Sequence, residues 1–400
     1  MSPAPARRRV VVTGLGPVAC CGIGKDAFFA GLFGAPGPGE RRVEDFDPAR
    51  YFDPKELRQT DRFAQFSLAA AAIAIDDAGG LAGDPQRCGV IFGTGVGGLQ
   101  TLQEQILLLG EKGPRRVSPR LVPMIMGNAG AAAISMRFGL RGPCETVVTA
   151  CAAGTHAIGY GFRLVTDGRC DVVVAGGAEA AISEAGGLPP IGIAAFANMT
   201  ALSTTGESRP FDVRRDGFVI AEGGAAVVLE ELEHARRRGA RVYAELLGAA
   251  STADAHHITA PAPGGAGAVA CMELALEDAG LRPSDIAHIN AHGTSTPLND
   301  LAEAEAIEKV FGRPSPPVTS IKGVTGHALG AAGALEAVAA VLTIERGVIP
   351  PTVGLEQLDP AIHLDVVTGE GRSFTPGPVL SNSLGFGGHN GCLVLAPPPA

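Results

Sequence analysis

Short runs of apolar, often β-branched residues alternate along the chain with longer alanine-rich stretches whose apolar positions recur at helical spacing. The runs predict buried strands at residues 10–12, 88–93, 146–150, 171–175, 225–230, 286–290, 318–321 and 391–395. The longer stretches predict helices at residues 63–78, 98–109, 155–167, 266–280, 300–311 and 328–346. This alternation is typical of an α/β fold in which helices cover parallel or mixed sheets.

The two parts of the chain also resemble each other locally. Each pair of similar segments combines a strand end or helix start with small residues in the same order, which predicts an internal duplication. We place the two halves at residues 1–250 and 251–400, with the second beginning at a loop rich in proline, glycine and histidine. The paired segments are 90–98 with 289–294, 149–154 with 326–333, and 223–229 with 387–395.

The composition and charge of the chain exclude several classes of protein. The 400 residues are 46% hydrophobic and 18% charged, so the chain can bury a large core and is not disordered. A net charge of -9 argues against general nucleic-acid binding, and no apolar run approaches the ~20 residues that a membrane span needs. The basic N-terminus runs directly into a predicted strand, and the eight cysteines are scattered without metal-binding spacing. We therefore expect a cytoplasmic protein with reduced thiols and no metal.

Cys151 is the first candidate for a nucleophile. It follows a predicted strand and opens a predicted helix, where the helix dipole and unpaired N–H groups would lower the pKa of the thiol. Its neighbours are small, which leaves room for a substrate carbonyl at the sulfur. For a lone cysteine an inert place in the core is the commoner outcome, so the hypothesis needs partners elsewhere in the chain.

Two histidines provide such partners. His292 lies just beyond a predicted strand, and His327 lies in the glycine-rich segment 322–333 that leads into a helix. One cysteine and two histidines in separate strand-to-helix loops supply a nucleophile and two neutral donors or bases. The glycine-rich segments 93–98 and 385–388 are only loosely similar to nucleotide-binding loops, because no Walker lysine or ribose-binding acid accompanies them.

Four motifs closely resemble those of the β-ketoacyl-[acyl-carrier-protein] synthases of the elongating type I/II, in the thiolase superfamily. They are Thr-Ala-Cys-Ala-Ala-Gly at 149–154, Asn-Ala-His-Gly-Thr-Ser-Thr-Pro at 290–297, the segment 322–333, and Asn-Ser-Leu-Gly-Phe-Gly-Gly-His-Asn at 382–390. The similarity runs essentially from Val10 to Leu395. It implies an α/β thiolase fold, in which two duplicated halves form a five-layer αβαβα sandwich, usually as a homodimer.

The resemblance further implies an acyltransferase, a 3-oxoacyl-[acyl-carrier-protein] synthase, that performs a decarboxylative Claisen condensation. Cys151 would accept an acyl chain from acyl carrier protein as a thioester. Malonyl-acyl-carrier protein would then lose CO2, and its enolate would attack that thioester, extending the chain by two carbons as in fatty-acid elongation. No cofactor is implied beyond the phosphopantetheine that the substrates carry.

The same motifs assign roles in the chemistry. The backbone N–H groups of Cys151 and Phe386 are the oxyanion-hole donors, and Phe386 is the gate between the acyl pocket and the malonyl site. His292 and His327 stabilise the enolate, for which both must be neutral. The resemblance also implies that Lys322 does not act as the general base of the reaction.

Further positions follow from the resemblance. Lys322 pairs with Glu336 and orders the histidine loop. The residues expected at the pantetheine arm are Thr294, Thr296, His257 and Thr259. Those expected in the acyl pocket are Val96, Met126 and Phe196, with Met124 and Ile125 beside them. Those expected to dock the acidic carrier protein are Lys55, Arg58 and Arg62 in one cluster and Lys112, Arg115, Arg116 and Arg120 in another.

An alternative function stays open. The ketosynthase subunit of a type II polyketide or polyene pathway, which works as a heterodimer with a chain-length factor, would carry the same motifs. A silent chain-length factor would lack the nucleophile. A biosynthetic thiolase, with Cys392 as its second cysteine, does not fit the Gly-Phe-Gly-Gly context, and an acetyl-CoA-primed synthase would have asparagine in place of His327.

Overall fold

In the computed structural model, which describes residues 7–182 and 188–399, each predicted strand and helix overlaps an observed one. The strands are β1 (Val10–Ala19), β2 (Gly22–Ile23), β3 (Cys88–Gly93), β4 (Cys144–Val147), β5 (Val172–Glu179), β6 (Gly223–Glu231), β7 (Ala244–Ala253), β8 (His288–Asn290), β9 (Val318–Thr319), β10 (Val348–Ile349), β11 (Arg372–Ser373), β12 (Val379–Gly385) and β13 (His389–Ala396). Strands β7 and β12 were not among those that the sequence pattern predicted.

The helices follow the strands at short intervals. They are α1 (Lys25–Gly31), α2 (Pro54–Leu57), α3 (Arg62–Asp77), α4 (Leu99–Lys112), α5 (Leu121–Ile125), α6 (Ala129–Phe138), α7 (Ala153–Thr166), α8 (Ile191–Asn198), α9 (Leu232–Arg237), α10 (Ala266–Ala279), α11 (Pro297–Phe311), α12 (Lys322–Thr325) and α13 (Ala332–Arg346). None of the helices that the structure describes is long and apolar enough to cross a bilayer.

The strand order shows the duplication directly. One set of five runs β4-β3-β5-β6-β1 and the other runs β9-β8-β12-β13-β7, which is the same order in the second part of the chain. In each set the first three strands are parallel and the next two pair antiparallel. The two sets join only through a short pairing between the start of β1 and β7.

Helices form three layers around these two sheets. Helix α3 packs on the outer face of the first sheet and α10 on the outer face of the second, while α7 and α13 contact each other and both sheets between them. Helix α13 consists largely of alanine and aliphatic residues, with Glu336 as a buried acid, and its residues from Ala332 to Ile344 are buried. The result is the expected αβαβα sandwich.

The border between the halves is set by strand β7. That strand is the counterpart of β1 and begins at Ala244, so the predicted border between residues 250 and 251 falls inside it. We propose that the second half be counted from the start of β7. All eight cysteines are unpaired, and the two short strands β10 and β11 form a separate antiparallel sheet.

Candidate active site

A cavity of about 390 Å3 lies where the two halves meet. Residues from loops after β4, β8 and β12, and from the segment before α13, line it together. The predicted site residues that it brings together are Cys151, His292, His327, Phe386, Thr294, Thr296, Thr259 and Phe196.

Cys151 lies in a single 3-10 turn, Ala150–Ala152, between β4 and the buried helix α7. Ala150 has a φ of 49°, a left-handed backbone that L residues adopt at a cost, and this sharp turn places the cysteine at the cavity wall. Ala152 and Ala153, the small residues that follow the cysteine, have no exposed surface.

The pKa of Cys151 differs from the sequence-based expectation. Burial raises the pKa of the thiol to about 11, although the charge of Lys322 and the backbone N–H of Phe386 both favour the thiolate. The helix N-terminus was expected to lower this pKa, but removal of the thiol from water outweighs the nearby positive groups. With a pKa of about 11, the thiol of Cys151 is protonated at neutral pH.

The end of strand β12 closes over the nucleophile. Gly385 lies so close that an added Cβ would be 3.0 Å from the carbonyl oxygen of Thr149 and 3.2 Å from the amide nitrogen of Cys151. The next residue, Phe386, presents its N–H to the sulfur. A side chain at 385 would therefore press on the backbone beside the N–H groups of Cys151 and Phe386.

Lys322 fixes the tautomer of His292. Its ammonium group is buried, donates to the carbonyl oxygen of His292 at 2.6 Å and reaches His292 Nδ1 at 3.2 Å. Because an ammonium group can only donate, Nδ1 must be the acceptor and the proton lies on Nε2. His292 therefore presents an N–H donor. Its backbone N–H donates to Glu303 at 2.7 Å.

His327 is held through its backbone. Its N–H donates to Val219 at 2.7 Å, its carbonyl accepts from Ala221 at 3.0 Å, and its ring packs edge-on against Phe218 at 5.2 Å between centroids. The two imidazoles meet edge to face with centroids 5.3 Å apart. Among the described residues nothing hydrogen-bonds to His327 Nδ1, which is buried.

Both imidazoles are neutral in the folded protein. Burial lowers the pKa of His292 and of His327 well below the usual value of 6.5, and the charge of Lys322 lowers both further. The site thus provides two uncharged rings beside a thiol, which matches the requirement for donors that do not trap a carboxylate.

A chain of buried polar groups supports Lys322. Its ammonium contacts the carboxylate of Glu336 on α13, which in turn accepts from Ser383 at 3.3 Å, and Ser383 shares a 2.7 Å hydrogen bond with Thr155 on α7. Burial raises the pKa of Glu336 to about 7. These contacts connect the loop that carries His292 to the helix that begins beside Cys151.

Two buried carboxylates were not predicted. Glu303 accepts the backbone N–H groups of His292 and Gly293, and Glu179 accepts those of Gly95 and Gly330. Burial raises the pKa of each to about 7. Glu303 lies among several acids of α11 and has no sequence signal, whereas Glu179 is a lone acid at the end of an apolar strand.

The predicted pantetheine contacts divide into two groups. Thr294 and Thr296 line the cavity with their hydroxyl groups 2.9 Å apart, and Thr259 lines it from the opposite loop. His257 does not line the cavity, because its Nδ1 accepts the backbone N–H groups of Thr259 and Ala260 at 3.1 Å each. It orders the loop instead.

The predicted acyl-pocket residues also separate. Phe196 lies in the cavity, with its ring 6.4 Å from that of Phe386. Val96 and Met126 are 48% and 44% exposed and lie outside it, and Met126 and Met124 line a second cavity of about 240 Å3. Both methionines therefore line a cavity other than the one that contains Cys151.

The predicted docking residues form one surface rather than two. Arg120 donates to Gln59, which joins the cluster at α2 to the cluster before α5. Lys55, Arg58, Arg115 and Arg116 are exposed, and no carboxylate of the described residues lies within ion-pair distance of them. Arg62 must be removed from the set, because it binds the buried Glu222 at 2.6 and 2.9 Å and lies over the ring of Phe66. We call Lys55, Arg58, Arg115 and Arg116 the basic patch.

Metal ligation has no candidate in residues 7–182 and 188–399, where no three histidine, cysteine, aspartate or glutamate side chains are grouped suitably. The groups that converge on the cavity are a thiol, two neutral imidazoles and backbone N–H donors.

Comparison with known proteins agrees with this arrangement. The family profiles "Beta-ketoacyl synthase, N-terminal domain" and "Beta-ketoacyl synthase, C-terminal domain" match residues 36–235 and 243–356. A relative from Synechocystis sp., named 3-oxoacyl-[acyl-carrier-protein] synthase 2, is 43% identical over 97% of this chain and 98% of its own.

Solved structures agree as well. The ishigamide ketosynthase/chain length factor superposes with a TM-score of 0.90 at 35% identity, covering 98% of this chain and all of that one. A type II polyketide synthase acyl-carrier protein in complex with its ketosynthase gives 0.87 at 32% identity, with the same coverage. With Cys151 opening the central helix α7 and two neutral histidines facing it, these matches show that the chain belongs to the β-ketoacyl synthase family.

Proposed function

We propose that this protein is a 3-oxoacyl-[acyl-carrier-protein] synthase that elongates fatty acyl chains by decarboxylative condensation. The observation that carries the proposal is the convergence of Cys151, His292 and His327 on one cavity, with the two N–H groups of Cys151 and Phe386 left open beside the sulfur. The relative named 3-oxoacyl-[acyl-carrier-protein] synthase 2 supports it.

The first half-reaction loads the enzyme. The sulfur of Cys151 attacks the thioester carbonyl of an acyl chain carried by the phosphopantetheine arm of a carrier protein. The negative charge that develops on the carbonyl oxygen is stabilised by the N–H groups of Cys151 and Phe386. Collapse of this intermediate releases the carrier thiol, which receives the proton that leaves Cys151, and leaves an acyl thioester on the enzyme.

The second half-reaction makes the new carbon–carbon bond. Malonyl-carrier protein binds with its thioester oxygen between His292 and His327, and loss of CO2 leaves an enolate that the imidazole N–H groups stabilise. Because both rings are neutral in this site, they stabilise the enolate oxygen without holding the malonyl carboxylate. The enolate carbon attacks the acyl thioester, and the Cys151 thiolate departs as the β-ketoacyl product forms.

A polyketide ketosynthase is the second candidate function. Its support is the close superposition on the ishigamide ketosynthase/chain length factor and on a ketosynthase with a type II polyketide acyl-carrier protein. The catalytic residues serve both functions equally, so the two differ in the chain that Cys151 accepts and in the partner subunit.

The test is mass spectrometry of the intact protein incubated with carrier proteins bearing short, medium and long saturated acyl chains. We expect acylation at Cys151 and, after malonyl-carrier protein is added, a saturated β-ketoacyl product two carbons longer. Acylation followed by turnover only with polyketide chains, or only when a partner subunit is added, would favour the second function. An unmodified Cys151 throughout would overturn both.

Substitution of the nucleophile separates the two half-reactions. Cys151→Ala should abolish condensation but retain decarboxylation of malonyl-carrier protein, because the two histidines do not need the sulfur. Cys151→Gln should decarboxylate faster, since its amide imitates the acylated thiol. The measurement is release of labelled CO2, and a Cys151→Ala protein without any release would contradict this division of roles.

We also propose a dimer that uses the edge strand β4. That strand ends one sheet, and large apolar side chains near it and on α5, α6 and α8 are exposed: Val122, Met126, Met136, Val148 and Ile191. A second chain there would cover the outward-facing segment that carries Met126. Light scattering should give about twice the 40.6 kDa chain mass, and a monomer would contradict this.

We further propose that the carrier protein docks on the basic patch and that the protein acts in the cytoplasm.

A further inference from the structure

The two central helices begin in equivalent turns. Helix α7 follows the 3-10 turn Ala150–Ala152, and helix α13 follows the 3-10 turn Leu329–Ala331. The first residue of each turn has the same left-handed backbone, with φ of 49° at Ala150 and 47° at Leu329. Gly330 is therefore the counterpart of Cys151 in the second half of the fold.

The strand ends that face these turns are equivalent too. In the second half the end of β12, at Gly385, faces the turn of Cys151. In the first half the corresponding strand β5 ends at Glu179, which faces the turn of Gly330. One turn thus leaves its N–H groups open for a substrate oxygen, whereas the other offers them to a carboxylate of the chain itself.

Glu179 fills this second turn completely. Its side chain has no exposed surface and accepts hydrogen bonds from Gly330 N at 3.1 Å and Gly95 N at 2.6 Å. The other oxygen accepts from Thr94 Oγ1 at 3.0 Å and Val96 N at 3.4 Å. The carboxylate therefore joins the turn after His327 to the loop that follows β3.

The position of His327 depends on this turn. Its ring has no hydrogen bond at Nδ1 to any residue that the structure describes, so backbone contacts and packing must aim it. Two of those contacts lie at His327 itself, and Ala331 N donates to the carbonyl oxygen of Ala328 within the turn that follows. The bond from Gly330 N to Glu179 then connects this turn to strand β5. Gly330 packs so tightly that an added Cβ would be 2.3 Å from Gly95 N.

We infer that Glu179 is a positioning residue for decarboxylation, because its carboxylate occupies the second anion-binding turn and thereby holds His327 in place. The inference rests on the proposed condensing function. It predicts that loss of the carboxylate moves His327 more than it moves Cys151, whose own turn is held by β12. In Glu179→Gln one oxygen becomes an amide donor that faces N–H donors, so the turn must shift.

The experiment compares two reactions. In the Cys151→Ala background, Glu179→Gln should lower kcat for decarboxylation of malonyl-carrier protein about tenfold or more, with KM changed less than about threefold. In the protein with Cys151 intact, the same substitution should change the rate of acylation less than about threefold. Thr94→Val removes one donor to the carboxylate, so it should lower the ratio of decarboxylation to acylation in the same direction but by a smaller factor. This variant tests the inference if Glu179→Gln does not fold.

The matched control is Glu230→Gln. Glu230 is also buried, but it lies at the opposite end of the same sheet, where it pairs with Val172 and binds Arg238. The Glu230→Gln substitution should lower the melting temperature and leave the ratio of decarboxylation to acylation unchanged. Parallel loss of both reactions in Glu179→Gln, or unchanged decarboxylation, would overturn the inference. A Cys151→Ala parent and a wild-type protein that both fail to release CO2 would overturn the proposed function and this inference with it.

Discussion

At the scale of single residues, the chemistry depends on which proton each buried group carries. Lys322 decides this for His292, because a lysine ammonium beside Nδ1 leaves Nε2 as the protonated nitrogen. It also neutralises Glu336, which would otherwise be an unpaired acid in the core. Lys322 can therefore be required for the reaction without acting as a general base.

Removal of Lys322 should damage decarboxylation far more than acylation. In Lys322→Ala, His292 is free to adopt the tautomer with the proton on Nδ1, and the enolate loses one donor. We expect decarboxylation to fall about a hundredfold or more, since a wrong tautomer is costly in comparable sites. Lys25→Ala, which breaks a lysine–aspartate pair away from the cavity, is the control for general destabilisation. Normal CO2 release by Lys322→Ala would contradict the role given to this residue.

The raised pKa of Cys151 has its own test. Because the pKa is about 11, the thiolate fraction and with it the rate of alkylation by iodoacetamide should rise about tenfold for each pH unit above neutrality. Peptide mass spectrometry can follow Cys151 separately from the exposed Cys144. A rate that levels off near neutral pH would show that the helix N-terminus and Lys322 outweigh burial.

At the scale of elements, the catalytic groups lie at strand ends and helix starts, and this much was predictable from the sequence. Apolar runs and helical spacing located β3, β5 and α7, and small residues marked the start of the nucleophile's helix. Strands β7 and β12 escaped prediction because they consist largely of small or polar residues and gain strand structure from partners on both sides. Sequence pattern carries no information about such pairing.

The supporting carboxylates show the same limit. The N–H donors to Glu179 are distant in sequence, and those to Glu303 lie on the loop before its helix, so no spacing rule connects acid and donor. The outward position of Met126 was unpredictable for a related reason, because it depends on how α5 is oriented rather than on the motif. Motifs identify side chains that react, whereas the contacts that aim them emerge only from packing.

Gly385 offers a test at this scale. An alanine here would press its Cβ against the backbone of Thr149 and Cys151, so the donors beside the sulfur must move by a few tenths of an ångström. We expect Gly385→Ala to slow acylation about tenfold or more while its melting temperature changes little. Gly110→Ala, on α4 with open space around it, is the matched control. Equal acylation rates in the two variants would mean that the close approach is not needed.

At the scale of the whole molecule, the surface charge is uneven, because a positively charged patch lies on a protein whose net charge is negative. The chain carries a net charge of -9, yet the basic patch offers four exposed cations, none of which forms an ion pair with a described residue. If the carrier protein docks here as proposed, the net charge of the molecule would repel its acidic surface and the basic patch would attract it, so the patch would direct where it binds.

Charge reversal in the patch should therefore raise KM for carrier-protein substrates. Arg116→Glu should raise KM about tenfold at low salt, with kcat nearly unchanged and the difference shrinking as salt is added. Arg237→Glu, an exposed reversal on α9 outside the patch, should leave KM unchanged. Similar KM values for the two variants would place the docking surface elsewhere.

The buried central layer has a consequence for how such a chain can be divided. Helix α13 exposes almost nothing, because its faces are covered by α7 and by sheets of both halves. Either half expressed alone would present a long apolar groove where the other half's helix belongs, so neither retains the solubility of an independent module. We therefore expect that the two halves fold and remain soluble only together, unlike domains that each have their own core.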